Sequence, residues 1–257
     1  RTITAFLLTQ MNNGAFRCPN SQQGFSPFST WTRGLAWAIC GFAEQLEFLF
    51  SVPNEELLQC GFPRSREKYL RRGKEVVSKR YAPNFAEFAN AAIFTAAFYT
   101  NISCADGIAM WDTGAPNLHR LPANYLNKPS DPYNKFEPVD SSAAAIAAQG
   151  FIRLGNFFTA HGMEAIGPYY LQAGLTIAKT LFSEPYLSTD PKHQGLLLHS
   201  VYHRPNGWDY IAPGQSVPNG ESSMWGDYHL RELALLILRE ARGEVYPTFF
   251  GGVTNKL

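Results

Sequence analysis

The chain has 257 residues, 45% of them hydrophobic and 17% charged, which excludes a disordered segment and provides for a core that needs neither disulfides nor metal to fold. Lys and Arg number 22 against 21 Asp and Glu, a net charge of +1; no phosphate-tracking groove is indicated, and nucleic acid is excluded as the first guess at a partner. The longest low-polarity run, Gly34 to Ala43, is far short of the ~18 apolar residues of a membrane helix.

In chain order, the first 28 residues read as loop with one short strand, punctuated by Asn12-Asn13-Gly14, Pro19, Gly24 and Pro27. A helix is predicted from an N-cap at Ser29 or Thr30 to about Phe50, with Leu35, Ile39, Phe42, Leu46 and Leu49 as its apolar stripe. A short helical turn follows at 55–59. The charged run 66–80 predicts an amphipathic outer helix, broken by Pro83. Phe85 to about Tyr99 is helical again, with Phe88, Ala92, Phe94, Thr95 and Phe98 packing. Residues 102–139 are a proline-rich loop. Asp140, as N-cap, opens an alanine-rich helix to about Phe158, and a further helix spans about 164–182. A second long loop, 184–222, leads to a last helix from Ser222-Ser223 to Arg242.

The fold class is therefore all-α, a single domain over 1–257. Helices apolar nearly all round (34–43, 143–152, 233–238) alternate with amphipathic ones, the pattern of an inner layer covered by an outer layer of αα-hairpins. The starts of the three inner helices, at Ser29-Thr30-Trp31, Asp140-Ser141-Ser142 and Ser222-Ser223-Met224-Trp225, would place their positive dipole ends around one pocket suited to an anion, if they share an end.

Arg33 and Trp37 lie four residues apart on one helix face. Arg33 offers a fork for a carboxylate, Trp37 a flat face for a sugar ring, and Gln23 a side chain for hydroxyls; a buried structural arginine among core tryptophans fits the same residues. Asp227, in the first turn after Trp225, is either a cap or a polar ligand contact. Asp106 and Asp112 would have to flank one bond to act as a glycosidase pair. The cysteines (Cys18, Cys40, Cys60, Cys104) form no CxxC pair, Cys40 reading as a buried thiol. His199 and His203 lack the intervening Glu of a zinc-protease helix, so no metal is expected.

Gln23-Gly24, Ser29-Thr30-Trp31-Thr32-Arg33-Gly34 followed by Ala36-Trp37, Asp106-Gly107 with Trp111-Asp112, Asp140-Ser141-Ser142-Ala143, and Ser223-Met224-Trp225-Gly226-Asp227-Tyr228 together resemble the ordered motifs of the unsaturated glucuronyl hydrolases, glycoside hydrolase family 88. The resemblance implies an (α/α)6 barrel of helical hairpins. It implies removal of a 4,5-unsaturated uronic acid from the non-reducing end of lyase-generated oligosaccharides, with no cofactor. An aspartate protonates the vinyl ether double bond, water adds, and the hemiketal collapses to release the sugar. Gln23, Trp31, Arg33 and Trp37, with Trp225 and Asp227, would contact the uronate, Arg33 at its carboxylate.

In that family the catalytic aspartates precede the Ser-Thr-Trp-Thr-Arg-Gly motif, and residues 1–22 contain no Asp. The chain, which starts at Arg1, is therefore expected to be the C-terminal half of such an enzyme, inactive alone. The rivals are the sibling class acting on unsaturated rhamnogalacturonan and a non-catalytic sugar-binding helical domain. By resemblance the compartment would be bacterial cytoplasm or periplasm.

Overall fold

The computed structural model describes residues 19–60, 70–72, 75–78, 83–246 and 248. In chain order these form α1 (Thr32–Ser51), α2 (Asn54–Gln59), β1 (Leu70–Arg72), β2 (Glu75–Ser78), α3 (Pro83–Ile102), α4 (Ser141–Ala160), α5 (Gly167–Leu181) and α6 (Met224–Ala241). The cysteine at 18 and the turn at 12–14 lie outside the described residues.

Helix α4 is the centre. Its alanines and Ile146, Phe151, Ile152, Leu154 and Phe158 are buried on every side, because α1 and α6 pack against one side and α5 against another. Small side chains let the helices approach closely. A Cβ added to Gly150 would stand 2.8 Å from the Cys40 backbone nitrogen of α1, and one added to Gly155 would stand 2.5 Å from the Leu171 nitrogen of α5. Helix α3 lies against α1 through Ala89, Ala92, Ala96 and Tyr99. The two-layer helical arrangement expected from the sequence is present, and the long loops fall at 103–140 and 182–223.

Four expectations are corrected. The run 66–80 is not a helix where it is described: β1 and β2 pair antiparallel with Arg72 opposite Glu75. The consecutive β-branched residues Val76 and Val77 favour a strand, and Gly73 would have weakened a helix by about 1 kcal/mol. Pro83 opens α3 rather than breaking a helix, as its fixed φ and missing N–H allow in a first turn. Phe94 stands 72% exposed and Phe98 is also exposed; alanines and Tyr99 take the contacts expected of them. Finally, the N-cap of α1 falls one or two residues after the expected Ser29 or Thr30. Trp31 is the N-cap and makes no side-chain bond. The exposed start is served by the neighbouring loop instead, the Thr32 N–H donating to the Trp111 carbonyl at 3.1 Å and the Thr32 hydroxyl to Met110 at 2.7 Å.

Candidate functional site

The starts of α1, α4 and α6 do meet at one end of the molecule. Asp140 caps α4, accepting from the Ser142 and Ala143 N–H groups. Ser223 caps α6 by accepting from Gly226. The Trp225 indole donates to the Ser142 hydroxyl at 3.2 Å, and Arg33 of α1 reaches Asp140 at 3.2 Å and Ser142 at 3.3 Å. The pocket for an external anion expected at this junction already holds an internal one. Asp140 is 0% exposed, and its carboxylate sits where the dipole ends converge.

Arg33 is correspondingly committed. It is 3% exposed. Besides Asp140 and Ser142, its Nη1 donates to the Val201 carbonyl. Its Nη2 donates to Gln23 Oε1 at 3.0 Å and to the Tyr202 carbonyl at 2.9 Å. Both faces are covered, the Trp31 and Trp225 rings lying 4.9 and 4.8 Å from Cζ. The fork expected to meet a ligand carboxylate thus joins α1, α4 and the 201–202 loop, as a buried structural arginine does. Gln23, half-buried, is the side-chain partner on Nη2. Asp227 likewise holds a loop: it accepts from the Leu196 N–H at 3.0 Å and the Leu197 N–H at 2.8 Å, fastening the second long loop to the first turn of α6.

Asp106 and Asp112, whose pairing the sequence leaves open, have different partners. Asp112 accepts from the Phe25 and Gly114 N–H groups, at 2.9 and 2.8 Å. Asp106 accepts from the N–H and hydroxyl of Ser130. Each carboxylate organises a different stretch of loop.

What remains open is aromatic. A groove of about 620 Å³ runs between α1 and α6, floored by α4. Trp37, Gly41 and Glu44 form one wall, Trp225, Tyr228, His229 and Glu232 the other, with Gln149 and Arg153 beneath. A second cavity of about 360 Å³ lies beside it under the second long loop, lined by Tyr202, Trp208 and Tyr210 and sharing Met224 and Trp225 with the first. Tyr202 bridges the two, its ring 5.2 Å from Trp225 and 5.4 Å from Trp208. Trp37 is 42% exposed. Of the six expected site residues, Trp37 and Trp225 line these cavities, Gln23, Trp31 and Arg33 stack behind them, and Asp227 holds the loop.

Sequence reasoning missed Tyr202, Trp208, His229 and Gln149. Only the loop's local richness in aromatics (Tyr202, Trp208, Tyr210) pointed at the first two; nothing local links Gln149 to a histidine 80 positions away. It also missed a buried polar seam at the far end of the groove. There Arg153 pairs with Glu47 at 2.8 Å and lies 3.9 Å from Glu44, and the Tyr246 hydroxyl donates to Glu47 at 2.8 Å. Burial pushes the Glu44 and Glu47 carboxyls up against the pull of Arg153.

No family model matches the chain. It is 25% identical over 241 residues to an unsaturated glucuronyl hydrolase of Bacillus sp. (strain GL1), a match covering 94% of this chain and 48% of that protein. It is 24% identical over 221 residues to one from Formosa agariphila, covering 86% and 39%. Among solved structures, the Bacillus sp. GL1 unsaturated glucuronyl hydrolase superposes with a TM-score of 0.55 at 22% identity, covering 90% of this chain and 44% of that one. A variant of the Streptococcus agalactiae enzyme complexed with dGlcA-GalNAc6S superposes with a TM-score of 0.56 at 18% identity, covering 93% and 47%. The chain spans about half the length, or less, of the relatives it matches. In sequence and in helical fold it is a relative of the unsaturated glucuronyl hydrolases, a group of glycoside hydrolases.

Proposed function

We infer that this chain forms the binding wall of an unsaturated uronyl hydrolase, one that acts on the non-reducing end of oligosaccharides carrying a 4,5-unsaturated uronic acid. The observation that carries the reading is the aromatic face shared by the two cavities, with Trp37, Trp225 and Tyr202 standing over a helix junction held by Arg33. Flat apolar rings beside hydroxyl-competent side chains suit the faces and edges of sugars. The relatives supply the class of sugar.

On this reading Trp37, Trp225 and Trp31 line the uronate subsite. Its carboxylate reaches Arg33 Nη2 by taking the place of Gln23, the half-buried side chain on that nitrogen. Asp227 keeps the 196–203 loop in place. The acid that protonates the double bond is supplied from outside these residues, because Asp106, Asp112 and Asp140 are engaged in holding backbone. The rest of such an enzyme would close the barrel over α6 and α3, where Leu235, Leu238 and Phe94 are exposed.

Calorimetry and tryptophan fluorescence with an unsaturated glucuronyl disaccharide test the reading. Saturable binding is expected, weakened about tenfold by Trp225→Ala, the equivalent of ~1.4 kcal/mol of lost stacking. A chain that is folded but gives no saturable signal with this disaccharide contradicts it.

A further inference from the structure

The two ends of the α1/α6 groove differ in chemistry. Trp37 and Trp225 stand at the end where the helices start. Gly41 and Glu44 follow one and two turns further along α1, and Glu232 lies two turns beyond Trp225 on the opposite wall. Gly41 is anomalous. A glycine inside a helix weakens it relative to alanine, and in α4 the weakness is offset because Gly150 and Gly155 admit a neighbouring backbone. A Cβ on Gly41, by contrast, would meet nothing within 4 Å. Helix α1 leaves room for a close neighbour that no described residue supplies.

The charges at that level are unbalanced as well. Glu44, Glu47 and Glu232 bring three carboxylates, and Arg153 is the one cation on the groove floor. Arg153 is paired with Glu47 at 2.8 Å and stands 3.9 Å from Glu44, while Glu232 has no ion pair among the described residues. The Glu44 carboxyl is raised chiefly by burial, and the Glu47 and Glu232 charges add to the rise against the pull of Arg153. Arg153 itself is 7% exposed, and its Nε–H is buried with no acceptor among the described residues. An occupant that fits brings positive charge for the walls and an acceptor for the floor. A polypeptide carries both, as a basic side chain and a backbone carbonyl.

Resting on the reading that this chain is one wall of an unsaturated uronyl hydrolase, we propose that the Gly41 end of the groove is a docking socket for the polypeptide that supplies the remaining wall, whose backbone passes over Gly41 and whose lysine or arginine enters between Glu44 and Glu232. This chain matches 48% of the Bacillus relative, which leaves a second wall of like size to be docked. Once seated, the cation balances the two wall carboxylates, so that the Trp37 end takes the acidic sugar ring without their opposition.

The test uses the ¹⁵N-labelled chain and two probes, the capped tripeptides acetyl-Ala-Lys-Ala-amide and acetyl-Ala-Glu-Ala-amide, with the Gly41 amide and the Trp37 indole followed by NMR. The lysine peptide should shift both signals saturably, and less as salt is raised; the glutamate peptide should not. Glu44→Gln with Glu232→Gln should weaken binding of the lysine peptide about fivefold, the range of two partly exposed ion pairs. Gly41→Leu, which has room to fold, should abolish the Trp37 response by filling the socket. Equal shifts with both peptides, or none with the lysine peptide, overturn the proposal. So does a Gly41 shift on concentrating the chain alone, which makes a second copy the occupant. Binding of an unsaturated glucuronyl disaccharide, seen in tryptophan fluorescence, without a lysine preference overturns the socket and spares the uronyl reading. A lysine preference in a chain that binds no such disaccharide upholds the socket and counts against that reading.

Discussion

Replacing Arg33 by methionine leaves the Asp140 carboxylate buried without its counter-ion, while its cap bonds to α4 remain. Removing one member of a buried pair typically costs ~3–5 kcal/mol, and the loss of the Val201 and Tyr202 carbonyl contacts adds to it. Urea denaturation should show a loss of about that size for Arg33→Met. The double replacement with Asp140→Asn should cost less than the sum of the two single ones, since asparagine keeps an acceptor for the cap without the charge. Additivity would contradict a direct Arg33–Asp140 coupling. The sequence placed Arg33 and Trp37 on one helix face, and the spacing was sound. It could not show that loops from positions 20–31 and 196–203 bury the first turn of α1, whereas one turn later Trp37 faces the groove. That difference is made by segments far away in the chain, to which helical periodicity is blind.

At the scale of helices, the contacts of α4 rest on glycines that admit a neighbouring backbone. Gly155 faces the Leu171 nitrogen so closely that Gly155→Ala must push α4 and α5 apart. A loss of about 1–3 kcal/mol is expected from overpacking, although alanine has the better helix propensity; a gain in stability would contradict the close approach. The seam between α1, α4 and the segment after α6 carries a second prediction. The Glu44 carboxyl is raised above its ordinary value of 4.5, chiefly by burial. A carboxyl whose pKa is raised on folding favours the folded state below its unfolded pKa, and that advantage is lost as pH rises through the folded value. Glu44→Gln should therefore raise the melting temperature at pH 7, and the gain should shrink toward pH 4.5. An equal gain at both pH values would contradict the burial account. Alternating inner and outer helices were legible because burial on all sides demands an unbroken apolar surface, as along 143–152. The strands at 70–72 and 75–78 were not, because the charged residues of this run fit a helical face as well as a strand, and only Gly73 and the valine pair tell against the helix.

For the whole molecule, the described residues form a helical fold centred on α4. The ordered motifs were legible as words in the sequence, and they led to the relatives that the comparisons bear out. What those words do in space was less legible. Asp140, Asp227 and Asp112 all sit in motifs, yet each spends its carboxylate on loop or helix backbone. The exposed leucines of α6 predict concentration-dependent self-association in sedimentation velocity, relieved by Leu235→Glu with Leu238→Glu; a monomer at all concentrations would count against an open edge there. The most direct measurement is the ultraviolet absorbance of an unsaturated glucuronyl disaccharide mixed with the purified chain, recorded together with tryptophan fluorescence. The account predicts a fluorescence change on binding and an absorbance that stays constant, because the binding wall is present and its aspartates are engaged elsewhere. Steady loss of the absorbance, with the double bond consumed by this chain alone, would contradict it.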